Sequence, residues 1–212
     1  SLILAAGAAT ALASCAQVSD VTKITGEVRP AGLDAVQVTI DDQLDTLVPV
    51  VDGKFSLEVP TNVCQSGTVA AGQYGINFIP DGTPLQVTID STTTVTSKYP
   101  KISVQAKLNA FFDQEEALVA EYRAKQQELS ENTELSAEER AQAWAEFEAP
   151  FMEKYNAANE EVFTSNTDNL VAVFALRNIR SEYTDVQMDS LLNLLSPAVQ
   201  EHKYVKSMKN AL

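Results

Sequence analysis

From Thr22 to about Val104 apolar and polar residues alternate, and a period of two predicts strands with one buried face. Val36-Gln-Val-Thr-Ile40 and Leu85-Gln-Val-Thr-Ile89 alternate strictly. Between them, Leu47 to Leu57 contains Asp52-Gly53, a pair that tolerates positive φ and so predicts a tight hairpin. A two-residue turn sets Val50 opposite Phe55 and Val48 opposite Leu57, which gathers apolar side chains on one face. Pro49 then meets Ser56 where an N–H is needed. Either this strand lies at an edge, or the loop spans Val51 to Lys54; the Val50–Phe55 pairing is expected in both cases. Ile79-Pro-Asp-Gly-Thr-Pro84 predicts a type I turn joining the Tyr74–Phe78 strand to the Leu85 strand. Short strands at this spacing indicate an antiparallel β-sandwich over residues 22–104.

Near Gln105 the period changes to that of a helix. Leu108, Phe111, Leu118, Tyr122 and Leu129 form one stripe, flanked by Phe112 and Val119, opposite a Glu, Gln and Lys face. Ser130 to Leu135 breaks the pattern. Ser136-Ala-Glu-Glu139 has capping-box spacing and opens a second helix, with Trp144, Phe147, Phe151, Tyr155, Ala158 and Val162 on its stripe. The two helices should form an antiparallel hairpin, with Pro150 kinking or restarting the second. Asn166 to Asn169 starts a third helix, Thr184-Asp-Val-Gln187 is another capping box, and Ser196-Pro197 opens a last helix through Tyr204, Val205 and Met208. The expected fold class is α+β, a β-sandwich followed by an α-helical bundle segment over 105–212.

Composition agrees with a packed chain: of 212 residues, 45% are hydrophobic and 21% charged. The net charge of −14 comes from 29 acidic and 15 basic residues, spread over both halves. No Lys/Arg cluster offsets it, which argues against a nucleic-acid partner. A solubilising surface explains the excess more simply than a tuned site for cations. With Cys15 and Cys64 alone, a disulfide framework is excluded, although spacing leaves one Cys15–Cys64 bridge open.

Ser1 to Ser14 is uncharged, too short to span a bilayer and suited to the apolar core of a secretory signal. Leu12, Ala13 and Ser14 before Cys15 resemble the lipobox of bacterial lipoproteins. That resemblance implies a signal peptide over 1–14, acylation of the Cys15 thiol, and a tether over 15–23. The alternatives are an ordinary signal peptide cut at an Ala-x-Ala-like site, or a buried helix. A lipid on Cys15 also argues against its pairing with Cys64.

The order of parts is informative as a whole. A lipobox, an Ile24-x-Gly26 strand, Val51-Asp-Gly-Lys-Phe-Ser56, a Phe78–Ile89 hairpin and acidic helices ending in Leu194-Leu-Ser-Pro197 follow one another. The chain thereby resembles the N-terminal region of Gram-negative envelope lipoproteins whose C-terminal domain is a thioredoxin-like thiol-disulfide oxidoreductase. In that family a small β-domain of unknown function and a helical segment precede the redox domain. The resemblance implies a lipid-anchored spacer or client-presenting module, facing the periplasm from the outer membrane, with protein clients and a downstream thioredoxin-like domain as partners. The family's Trp-Cys-x-x-Cys has no counterpart here, and Leu212 falls about where the linker into the redox domain would begin. Two readings stand: an N-terminal piece, or a protein lacking the catalytic module. No catalytic, cofactor or metal residue is carried over. An independent binding lipoprotein for a peptide or glycan is the alternative.

The remaining candidates have simple explanations. Thr61-Asn-Val-Cys-Gln-Ser66 gives Cys64 no cation to activate it, so a buried or incidental cysteine is expected. His202, the single histidine, lacks ligand spacing for zinc and is expected at a helix end or on the surface. Asp41, Asp42 and Asp45 lack the EF-hand spacing and read as a polar loop. Glu115 falls between Phe111 and Leu118, where a rim position is favoured over a buried acid of raised pKa. Trp144, Phe147 and Phe151 could line a groove, although helical spacing favours packing.

Overall fold

The computed structural model describes residues 18–212; the expected signal segment, with Cys15, lies outside the described residues. The chain is mixed α and β, with strands first and helices after. The strands are β1 (Val21–Val28), β2 (Ala35–Ile40), β3 (Leu44–Pro49), β4 (Lys54–Pro60), β5 (Gly67–Ala71), β6 (Tyr74–Phe78), β7 (Leu85–Ile89) and β8 (Thr94–Ser97). They form two four-stranded sheets, in the orders β4-β1-β7-β8 and β3-β2-β5-β6. β1 begins at Val21, one residue before the expected β-segment of 22–104 and inside the expected tether of 15–23.

The alternating segments behave as predicted. Val36, Val38 and Ile40 of β2, and Leu85, Val87 and Ile89 of β7, are buried while the residues between them are not. Both sheets feed one buried cluster, which takes Ile24, Phe55 and Val87 from the first and Val38, Val69 and Phe78 from the second. Each sheet also contains a glycine beneath a cross-strand aromatic ring, Gly26 opposite Phe55 and Gly67 opposite Phe78. A Cβ at either glycine would fall inside the facing ring, so the missing side chain is what admits the aromatic.

Three connections differ from expectation. Asp52 and Gly53 do adopt positive φ, 51° and 72°, but the ladder across their turn ends at the Val51–Lys54 bridge. Val50 does not continue it with Phe55. Its N–H donates instead to the Asp34 carbonyl at 2.8 Å, so the chain passes from one sheet to the other at this turn. β3 is an edge strand, which accommodates Pro49 opposite Ala35. Likewise β6 and β7 belong to different sheets, so Phe78–Ile89 is not a hairpin. Lastly, β1 and β7 run parallel, with Ile24 beside Leu85, in an otherwise antiparallel set. A parallel neighbour needs a long crossover, and the excursion through the second sheet supplies one.

The helices are α1 (Val104–Glu131), α2 (Ala137–Thr164), α3 (Val171–Asn178), α4 (Asp185–Leu192), α5 (Pro197–Gln200) and α6 (Lys203–Asn210). Both predicted capping boxes form, at Ser136–Glu139 and Thr184–Gln187. Pro150 does not restart α2, which continues through it from Ala137 to Thr164; it is exposed, as is Glu146, whose carbonyl loses its helical partner near solvent. The predicted last helix is interrupted at Glu201–His202, and His202 caps the new start.

α1 and α2 pair antiparallel, with Tyr122 against Trp144 and Phe151, and Glu115 against Tyr155 and Asn159. Their inner halves join a helical core built on Leu108, Phe163, Val171, Leu176 and Met188. Leu118, Leu129 and Phe151 are buried, yet they belong to neither core cluster. The outer half of the hairpin is held by its own aromatic stack.

A polar junction ties strands to helices. Asp81 is 2% exposed and accepts from the Thr83 N–H and hydroxyl, the Ser103 hydroxyl and the Gln105 N–H. Gln105 in turn accepts from the Ile79 N–H at 2.7 Å, and Asn109 donates to the Val95 carbonyl at 2.7 Å.

Candidate functional site

Two surface features collect the residues singled out above. The first is a cleft of about 400 Å³ between the turn after β2, the loop after β4, and the α5–α6 break. Asp41, Asp42, Cys64, His202 and Lys203 line it, but Asp45 does not. Asp45 lies on the edge strand β3, where it accepts from Gln37.

Asp41 is the hub of this cleft. Its φ of 38° is left-handed, a conformation that Asp tolerates, and it aims the carboxylate at the helices. The carboxylate accepts from the Ser66 N–H at 3.0 Å and pairs with Lys203 Nζ at 3.2 Å. His202 Nδ1 accepts from the Tyr204 N–H, so the neutral ring carries its proton on Nε2. Nε2 stands 3.5 Å from Asp41 Oδ2 without forming a hydrogen bond, and it is buried without a partner among the described residues. Thus the helix-end expectation for His202 is met, whereas the surface alternative is corrected: the residue is 7% exposed.

Burial holds the His202 pKa below its ordinary value, against the opposing pull of Asp41. A depressed histidine pKa means that the buried site favours the neutral ring. Its contribution to stability is present above about pH 6.5 and is lost as pH falls through the lowered folded value. We expect acidification from about pH 7.5 to 5.5 to lower Tm more in the wild type than in His202→Asn, which keeps a capping acceptor. Equal losses would show that the histidine does not titrate against the fold.

Cys64 is half-buried, and its sulfur faces the Asp168 carbonyl at 3.8 Å. Burial, then the nearby Asp168 carboxylate, pushes the thiol pKa up. It is therefore held as a thiol rather than as an activated thiolate, and no hydrogen bond joins it to His202. Among the described residues, no group of three or more metal-binding side chains comes together, and no helix is long and apolar enough to cross a membrane.

The second feature is an aromatic face on the α1–α2 hairpin. Trp144 meets Tyr122 edge-on at 5.0 Å, and Phe147 stacks on Phe151 at 5.3 Å, so these side chains do pack as predicted. Yet Phe151, with Val119, Tyr122, Arg123, Met152 and Tyr155, also lines an open apolar groove of about 260 Å³. Beside it, Phe111, Phe112, Glu115, Phe174, Arg177 and Asn178 line a second depression of about 320 Å³.

Glu115 stands between the two. It is half-buried, as a rim position predicts, and accepts from Tyr155 Oη at 2.9 Å, Asn159 Nδ2 at 3.0 Å and Asn178 Nδ2 at 2.7 Å. Burial, followed by the Glu115 carboxylate, pushes the Tyr155 pKa up to about 12, so its hydroxyl remains a donor. Sequence reasoning missed Asn159 and Asn178. Asn159 did leave a signal, as a polar residue on the apolar stripe between Tyr155 and Val162.

No family model, curated protein or solved structure matches the chain.

Proposed function

We propose that the chain is a non-catalytic, client-presenting module of a lipid-anchored envelope protein, preceding a thioredoxin-like oxidoreductase domain. The observation that carries this reading is the hairpin, whose outer half leaves both cores and displays an open, largely apolar groove with Tyr122, Phe151 and Tyr155 in its lining. Such a face suits the transient holding of another polypeptide. The two sheets sharing one buried cluster would act as a β-sandwich base, and the helices packed behind them as a bundle that carries the arm. Support for the envelope context comes from Leu12-Ala-Ser-Cys15 and from the strand-then-helix order. The polar cleft at Asp41 favours a second reading, a binding lipoprotein for a hydroxyl-rich ligand such as a glycan.

Two measurements decide the matter. Mass spectrometry of membrane-extracted protein should find acyl chains on Cys15, and Cys15→Ala should move to the soluble fraction; a variant that stays membrane-bound refutes the anchor. The coding sequence beyond Leu212 should encode a Trp-Cys-x-x-Cys within about 100 residues, the size of one small domain. A stop codon directly after Leu212 would remove the oxidoreductase partner.

A further inference from the structure

We propose that the exposed row along α1 docks a short cationic and apolar polypeptide segment, with a Lys or Arg side chain seated at Glu115 beside the Phe112–Phe174 pair. The inference rests on the presenting-module reading and specifies the client's chemistry.

The seat is formed by three groups. The Phe112 and Phe174 rings pack against each other at a tilt, with centroids 6.0 Å apart, and Phe112 is 45% exposed although it lies beside the core. Glu115 lines the same depression. Its carboxylate accepts only from neutral donors and makes no ion pair among the described residues. Arg177, at the rim, stands over the Tyr204 ring at 5.1 Å. A half-desolvated anion beside two aromatic rings attracts a cation by direct charge and through the ring faces.

Continuing along the helix, Phe112, Glu115, Val119 and Tyr122 follow at steps of three and four residues and lie on one side of α1. At 1.5 Å per residue that row is about 15 Å long, enough for some three turns of a docked helix. Its far end is the apolar groove at Val119 and Met152. A ligand matching the row has a basic residue at one end and apolar residues one to two turns away.

Charge selects the occupant. α1 and α2 together contain 13 Asp/Glu and 5 Lys/Arg, so the arm is strongly anionic. A second copy would bring a like-charged arm to it, and an anionic lipid surface would be repelled. A basic segment of another polypeptide is attracted.

The test uses three synthetic amphipathic peptides of about 14 residues: one with Arg and Leu on one face, one with Glu replacing Arg, and one with Ser replacing Leu. Binding to the purified chain is followed by fluorescence of Trp144, the sole tryptophan, which touches Tyr122 in the groove wall. NMR of the Asn159 and Asn178 side-chain amides locates the ligand. The Arg/Leu peptide should bind, and Glu115→Gln and Phe112→Ser should each weaken it by about fivefold or more, while the remote Glu128→Gln leaves it unchanged. Unaltered circular dichroism of each variant separates lost binding from lost fold. Equal binding of the Glu peptide, an equal effect of Glu128→Gln, no binding at all, or amide shifts centred on His202 would each overturn the docking inference. None of these touches the Cys15 and coding-sequence results, so the module reading can fail or survive separately.

Discussion

Replacing Asp81 with alanine should destabilise the protein by about 3–5 kcal/mol, seen as a fall in the urea midpoint with little change in slope. The carboxylate is buried and receives two backbone N–H groups and two hydroxyls. Alanine would leave the Thr83 and Gln105 N–H groups buried without partners. Each stranded donor costs about 1–3 kcal/mol, and water has little access to either. Asp81→Asn keeps one carbonyl acceptor and should lose roughly half as much. The contacts span from the β6–β7 connection to the first turn of α1, so the lesion separates strands from helices. An Asp81→Ala protein within about 1 kcal/mol of the wild type would mean that the junction relaxes freely.

Gly26→Ala should lose about 2–3 kcal/mol, although the change adds one methyl group and removes an entropic weakness of the strand. The added Cβ would enter the volume of the Phe55 ring, which is 5% exposed and enclosed by the shared sheet core. Phe55→Leu, itself mildly destabilising, opens space over Gly26. The double variant Gly26→Ala/Phe55→Leu should therefore be more stable than the sum of its single losses by about 1 kcal/mol or more. Strict additivity in thermal or urea unfolding would rule out the steric explanation.

What the sequence made legible was local. Strand alternation at Val36–Ile40, both capping boxes and the stripe of α1 depend on neighbours within a few residues, and each is present. Asp52-Gly53 was legible as a turn for the same reason. The destination of the flanking strands was not, because the Val50 N–H chooses Asp34 over Phe55 only when a second sheet exists to receive it. Asp81 shows the same limit. Pro80-Asp81-Gly82 has the composition of a turn, and nothing near it in sequence announces that its carboxylate caps a helix beginning at Val104.

At the candidate site the sequence located the odd group but not its setting. Glu115 stood out against the stripe, yet the donors that hold it come from α2 and α3. Only tertiary packing could bring Asn159 and Asn178 to one carboxylate. His202 was likewise legible as a helix end, but its burial against Asp41 depends on the break between α5 and α6.

The parallel seating of β1 beside β7 bears on how the chain folds as it is made. β1 has its antiparallel neighbour once Pro60 has emerged, but its other edge stays open until Leu85–Ile89 is available. Meanwhile β2, β3, β5 and β6 can complete the other sheet among themselves. High contact order is thus concentrated in the first sheet, which should close last and slowly. Until it does, the open edge beside Ile24 is the part of the chain most exposed to wrong pairing.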